Sequence, residues 1–401
     1  MSFKMDRFIP DRRVIEHRMH SFDIQQPKTE YQYELVSSLF PQHSQSFLQH
    51  RPVVTPQWHA PSWEIGKKIK VLEGAVEWND FYRRPLDWGH GLMCVANREG
   101  EGKVWHMQKP LQHKQSPEVF ASLPFEAVYL KSSFDDTELA IGGIDAQLTV
   151  MDIQAKKVIE TLSVQATVGA VSAIAWNPHQ LQGLTYAVGS SLVHWDRRKP
   201  QPEHTTPVSS RICGVTWDPT CSHQIAVGSS DAVTLFDVRW MDRPNFQEKL
   251  PSAVRGTDWN AEGLLAFGTG RDGKKVYVLN TRTYQYEALP MEVSAQVCDL
   301  LWLDRRHFVM ALGYGATGLV QMGQFAPQFS ASQVVQSVDI KGSRALNLVL
   351  SRNKQHMGIN IAHRDDATVE IFSMSSLDHD HLKESRKRKR SSDSTIHDTV
   401  R

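Results

Sequence analysis

Short apolar runs of strand length, bounded by Gly, Pro, Asn or Asp, recur along most of this chain. Their order repeats. Ala173-Ile174-Ala175-Trp176-Asn177-Pro178 returns as Gly214-Val215-Thr216-Trp217-Asp218-Pro219, then as Gly256-Thr257-Asp258-Trp259-Asn260 and as Asp299-Leu300-Leu301-Trp302. The tryptophans lie 41, 42 and 43 residues apart. About ten residues after each comes a second run rich in small residues: Tyr186-Ala187-Val188-Gly189, Ile225-Ala226-Val227-Gly228, Leu265-Ala266-Phe267-Gly268 and Met310-Ala311-Leu312-Gly313. A third run closes near Trp195-Asp196, Phe236-Asp237 or Leu279-Asn280.

A period near 40–45 residues with several short strands per unit is the signature of an all-β fold, the WD-repeat β-propeller. One blade cannot bury both of its faces alone, whereas blades stacked around an axis cover each other. Gly and Ala let the inner strands crowd the channel, and Trp fills the wedge between blades. Weaker copies extend the array. Leu86-Asp87-Trp88, Cys94-Val95-Ala96 and Val104-Trp105 form a first blade. Ala127-Val128-Tyr129-Leu130, Leu139-Ala140-Ile141-Gly142 and Val150-Met151-Asp152 form a second. Leu346-Asn347-Leu348-Val349-Leu350, Gly358-Ile359-Asn360-Ile361-Ala362 and Val369-Glu370-Ile371-Phe372 form a seventh. The pattern predicts seven blades over residues 71–375, in which the Trp-Asp endings are structural. Residues 1–70 read as a flexible arm, since 13–66 are rich in His, Gln, Ser and Pro and have no period. Residues 376–401 read as a basic, solvated tail, in which Arg386-Lys387-Arg388-Lys389-Arg390 reads equally as a nuclear-import signal or a solubilising run.

Composition narrows the function. With 401 residues, 40% apolar, 22% charged and a net charge of +1, the chain has the balance of a soluble globular protein and no excess of cations for nucleic acid. No apolar run reaches the length of a membrane span, and the first residues are charged rather than signal-like, so neither a membrane segment nor secretion is expected. Cys94, Cys213, Cys221 and Cys298 are isolated, with no CxxC pair, which predicts buried reduced thiols and no metal. The 18 histidines are scattered, and no nucleophile elbow, zinc-protease motif or phosphate loop is present. Gly268-Thr269-Gly270 with Gly273 is a turn before a strand, not a dinucleotide site. The expectation is a binding protein without cofactor or catalytic residues.

Near the start, Asp6-Arg7-Phe8-Ile9-Pro10-Asp11-Arg12 matches the C-box pattern of the Fizzy/Fizzy-related activators of the anaphase-promoting complex, a ubiquitin ligase. Val71-Leu72-Glu73-Gly74, Asn79-Asp80-Phe81-Tyr82 and Leu86-Asp87-Trp88 resemble that family's approach to its first blade. Ala253-Val254-Arg255 through Trp259 resembles its fifth blade, and Gln296-Val297-Cys298-Asp299-Leu300-Leu301-Trp302 its sixth. The final Val400-Arg401 resembles the family's Ile-Arg tail. The short stretch before the C-box and the drifted propeller resemble a specialised member, such as the insect meiotic Cortex branch.

The resemblance implies an adaptor that captures degrons (destruction boxes or KEN boxes) on substrates such as cyclins and delivers them to the ligase. It implies ligase subunits as partners, a monomer within a larger assembly, cell-cycle or meiotic control, and residence in nucleus and cytoplasm. Docking would fall to Asp6, Arg7, Phe8, Ile9, Pro10 and Arg12 and to Val400 and Arg401. Arginine forks suit carboxylates, Phe8 and Ile9 offer apolar anchors, and Pro10 lowers the ordering cost. Degron contacts would fall to Asp80, Gln296, Arg344 and Asp366. Two departures stand out: Ala367 lies where the family places a second acidic residue, and Ser230 where it places Asn. Asp365 or Asp366 could compensate for the first. The alternative is a propeller scaffold or inhibitor that docks on the ligase without productive delivery.

Overall fold

The computed structural model describes residues 63–376, apart from 74–79, 90–91, 97–100, 107–117, 164–168, 315–317, 326–331, 341–343 and 364–366. Every regular element among the described residues is a strand, and the strands form seven four-stranded sheets. Blade 1 covers 86–122, blade 2 127–163, blade 3 171–207, blade 4 212–249, blade 5 254–288 and blade 6 296–340. Within each blade successive strands pair antiparallel from the channel outward. This is the β-propeller that the repeat predicts.

Blade 7 is built from both ends of the array. Its three inner strands are Arg344–Leu350, His356–Ala362 and Ala367–Ser376, and its outermost strand is Trp63–Glu73. The predicted boundary at residue 71 therefore moves. Residues 63–70 belong to a blade rather than to a flexible arm, and Val71–Glu73 close the last blade instead of leading into the first. The sequence hides this strand because Gly66-Lys67-Lys68 interrupts its apolar pattern and the pairing slips between Ile65, Lys68 and Lys70. Three contacts hold it in place. The Ile65 N–H donates to Gln336 Oε1 at 2.7 Å, while Gln336 Nε2 donates to the Ile65 carbonyl at 2.8 Å. The Trp63 indole donates to Asp304 Oδ2 at 2.8 Å.

The innermost strands carry the repeating Trp, and their polar groups staple one blade to the next. The Trp176 indole donates to the Lys131 carbonyl at 3.0 Å, and the Trp302 indole to the Asp258 carbonyl at 3.1 Å. Three carboxylates reach across in the same way: Asp87 accepts from the Ser132 N–H at 2.7 Å, Asp258 from the Trp302 N–H at 2.8 Å, and Asp299 from the Leu348 N–H at 2.9 Å. Crowding at these joints explains the small residues: a Cβ on Gly228 would sit 2.2 Å from the Val254 carbonyl oxygen. The Trp-Asp endings cap turns, as in Asp237 accepting from the Arg239 N–H at 3.0 Å. Cys94, Cys213 and Cys298 are buried free thiols, whereas Cys221 is only half-buried beside His223.

Asp258 marks the cost of burying such a staple. Burial pushes its carboxyl up to about 6 against the hydrogen bonds from the Trp302 and Trp259 backbone. The folded state then holds a proton that the unfolded chain releases near its ordinary value, so this stabilisation is full below about pH 4 and is lost as pH rises through about 6. Asp258→Asn keeps an oxygen for the Trp302 N–H and removes the charge. It should add on the order of 1–3 kcal/mol at pH 7.5 and nothing at pH 4, as read by urea unfolding at the two pH values.

Candidate functional site: the channel mouth

Successive blades pack through their innermost strands, which repeat in one direction around the axis. The residues that begin those strands therefore gather around one mouth of the channel. Gln296 and Arg344 begin the innermost strands of blades 6 and 7. Arg211 immediately precedes that of blade 4, Ile212–Trp217.

Into this ring comes the segment 80–84, which crosses the channel and touches most of the blades. Arg84 pairs alongside the inner strand of blade 2, in a parallel bridge with Tyr129: its N–H donates to the Val128 carbonyl and its carbonyl accepts from the Leu130 N–H, each at 3.0 Å. Its guanidinium then reaches the far side, donating to Asp299 Oδ1 of blade 6 at 3.2 Å and to the Leu348 carbonyl of blade 7 at 2.8 Å. Arg255 of blade 5 completes the brace. It donates to the carbonyls of Cys298 at 2.7 Å, Leu346 at 2.8 Å and Arg83 at 2.8 Å, and its guanidinium lies 5.4 Å from the Phe81 ring centroid. Asn347 Nδ2 also donates to the Arg83 carbonyl at 3.2 Å. Phe81 is buried in consequence.

The brace sets the positions of the expected degron contacts. Asp80 is part-exposed, but its carboxylate accepts from the Tyr82 N–H at 2.9 Å and from Arg83 Nε at 3.1 Å. Arg83 also pairs with Glu126, just before blade 2, at 2.7 Å, so one cation bridges two carboxylates. Tyr82 lies under Arg211, whose guanidinium carbon is 3.9 Å from the ring centroid. The Tyr82 phenol is pushed up by burial, then by Cys213, with Arg211 opposing and Asp80 adding. Arg344 stacks on Tyr314 at 4.4 Å, and the Tyr314 phenol is likewise raised first by burial, with Asp80 again among the contributors. Gln296 is 9% exposed, and its amide makes no hydrogen bond to another described residue.

Asp80, Gln296 and Arg344 thus belong to one neighbourhood, and Ser230 joins it. The Ser230 hydroxyl donates to the Arg211 carbonyl at 3.3 Å and faces Cys213 Sγ at 3.9 Å. Ala367 is fully buried in an apolar cluster with Leu72, Leu86, Trp88 and Val369, at the seam between blades 7 and 1. Asp365, Asp366, the C-box residues 6–12 and the final residues 400–401 lie outside the described residues. Sequence reasoning missed the brace and Arg211. One signal was present: Asp299 occupies the repeat position held by Ala173, Gly214 and Gly256, where a carboxylate needs a buried cation as partner. Among the described residues, no cluster of three or more His, Cys, Asp or Glu could hold a metal ion.

In class, this is a seven-bladed WD-repeat propeller whose channel is spanned by its own chain. Its fold matches a chain in the crystal structure of a mitotic checkpoint complex with a TM-score of 0.67, covering 77% of this chain and 93% of that one at 20% identity. No family model matches the sequence. Curated relatives do. Meiotic fizzy-related protein 1 of Schizosaccharomyces pombe is 25% identical over 242 residues, 58% of this chain and 54% of that protein. The anaphase-promoting complex subunit cdh1 of Dictyostelium discoideum is 24% identical over 280 residues, 60% and 36%. The APC/C activator protein CDH1 of Saccharomyces cerevisiae is 25% identical over 267 residues, 62% and 43%. The matches span about half or less of the length of these relatives. The chain is thus similar to proteins named fizzy-related and CDH1, at 24–25% identity.

Removing the brace should be expensive. Arg255→Ala leaves three carbonyl acceptors without their cation and is expected to lower stability by about 2–4 kcal/mol, with Arg255→Lys recovering part of the loss. Thermal unfolding of the two variants checks this.

Proposed function

We propose that this protein is a substrate-recognition adaptor of the anaphase-promoting complex, with the channel mouth as its degron site. The supporting observation is the gathering of Gln296, Arg344 and Asp80 at one mouth, in a chain with one relative named as an activator of that ligase and another as its subunit. The rim suits a peptide. The Gln296 amide, without a side-chain partner among the described residues, offers two N–H donors and a carbonyl acceptor, and cations stacked on Tyr82 and Tyr314 offer charge at fixed positions. In this reading the C-box segment and Val400-Arg401 are two hooks on the ligase, each weak alone. Joined through one propeller they gain affinity by effective concentration, by roughly a hundredfold or more.

A second reading has its own support. Arg83 already occupies Asp80, so a degron arginine would have to displace an internal partner. A propeller that docks on the ligase while taking up destruction boxes poorly would act as a scaffold or inhibitor.

Substrate ubiquitination by purified anaphase-promoting complex separates the two. The adaptor reading expects stimulation by the added protein, falling about tenfold or more in Arg7→Ala and on removal of residues 400–401. It expects a similar loss for Gln296→Ala with Arg344→Ala, without loss of ligase binding. Ligase binding without stimulation would favour the scaffold. Absence of binding would sink both readings.

A further inference from the structure

The charges around the mouth are not equivalent, and their pairing decides what the mouth can accept. Two part-exposed carboxylates of the rim, Asp80 and Glu126, share Arg83 at 3.1 and 2.7 Å, while a third, Asp231, accepts from the Ser210 and Ser229 hydroxyls. At Asp80 and Glu126 an incoming lysine or arginine meets carboxylates already neutralised by a cation tethered three residues from Asp80. Across the rim the reverse holds. Arg211 is exposed and has no carboxylate partner among the described residues. Its carbonyl is engaged by Ser230, and its guanidinium is set 3.9 Å over the Tyr82 ring. That stack orients the planar fork and lowers the entropy lost when it grips a carboxylate. On the blade 6 side of the mouth lies the amide of Gln296, largely buried and with no side-chain hydrogen bond to another described residue.

We infer that the mouth selects a peptide carrying an acidic side chain, with Arg211 as the specificity-determining residue and Arg83 as an internal occupant that excludes basic side chains. This rests on the mouth being a peptide site. The ligand's carboxylate would take a bidentate contact from Arg211 at the Tyr82 edge. Tyr82 and Phe81 form the floor, held from below by Arg255. A carboxamide in place of the carboxylate would keep the shape and lose the charge-assisted contact.

The test uses the full chain and four fluorescent pools of heptapeptides, degenerate except for a central Glu, Gln, Lys or Arg, with binding read by anisotropy. The Glu pool should bind about tenfold tighter than the Gln pool. Arg211→Gln should abolish that preference and Arg211→Lys should keep part of it. Unchanged thermal unfolding is expected because the side chain is exposed. Arg83→Gln should raise binding of the Arg pool severalfold by freeing Asp80 and Glu126. Equal binding of the Glu and Gln pools, binding led by the Arg or Lys pool in the unsubstituted protein, or no binding of any pool would overturn the inference. An Arg pool unmoved by Arg83→Gln would overturn the role given to that residue. The readout needs no ligase. A Glu preference without ubiquitination would therefore retain the acid-reading mouth and discard the adaptor, and ubiquitination without a Glu preference would do the opposite.

Discussion

The antiparallel pairing of Trp63–Glu73 with Ala367–Ser376 joins segments as far apart as Lys68 and Glu370, which are 302 residues apart in sequence. Closing a loop of that length costs on the order of 5 kcal/mol in chain entropy. The ladder, the Gln336 clamp on Ile65 and the burial of Ile65, Phe372 and Met374 in the core of blades 6 and 7 offset it. Without this closure blade 7 would lack its outer strand, and the seam between blades 7 and 1, where Leu72 packs against Leu86 and Ala367, would open. The channel mouth needs a closed ring, because its parts come from blades 2, 4, 5, 6 and 7.

Within that ring, buried charge does work that apolar packing does elsewhere. Arg84 and Arg255 lie across the channel and satisfy backbone carbonyls that no strand neighbour reaches. A cation buried among carbonyls and one carboxylate tolerates little displacement, since each lost partner leaves a desolvated group behind. The brace therefore fixes the residues it carries: Phe81 beneath, Tyr82 at the rim, and the Arg83 carbonyl between Arg255 and Asn347. Rigidity at the mouth comes from the chain's own segment laid across it.

The same segment accounts for what the mouth presents. The side chains on either side of the brace alternate between engaged and open. Asp80 and Glu126 are drawn onto Arg83, while Arg211 is left facing solvent over Tyr82. A relative with an identical fold and a neutral residue at position 83 would show the opposite polarity. At 24–25% identity to the curated relatives, fold and chain order persist while such local pairings are free to change.

The repeat was legible because each blade needs a Trp wedge and small residues at fixed spacing, so the Trp176, Trp217, Trp259 and Trp302 series and the strands after it could be read directly from order and period. Gln296 and Arg344 were singled out by resemblance to the family rather than by the repeat, and both begin inner strands. The sequence by itself thus determined the propeller and its seven blades. Tertiary structure alone decided that residues 63–70 complete the last blade, since their partner lies some 300 residues away and their own pattern is broken by Gly66-Lys67-Lys68. It also decided that Arg84 is buried against Asp299 and that Arg83 neutralises Asp80. Two adjacent arginines before a strand read alike in sequence. Which one is sealed in the channel and which lies at the rim depends on carbonyls and carboxylates supplied by blades 2, 6 and 7, and no local pattern encodes those.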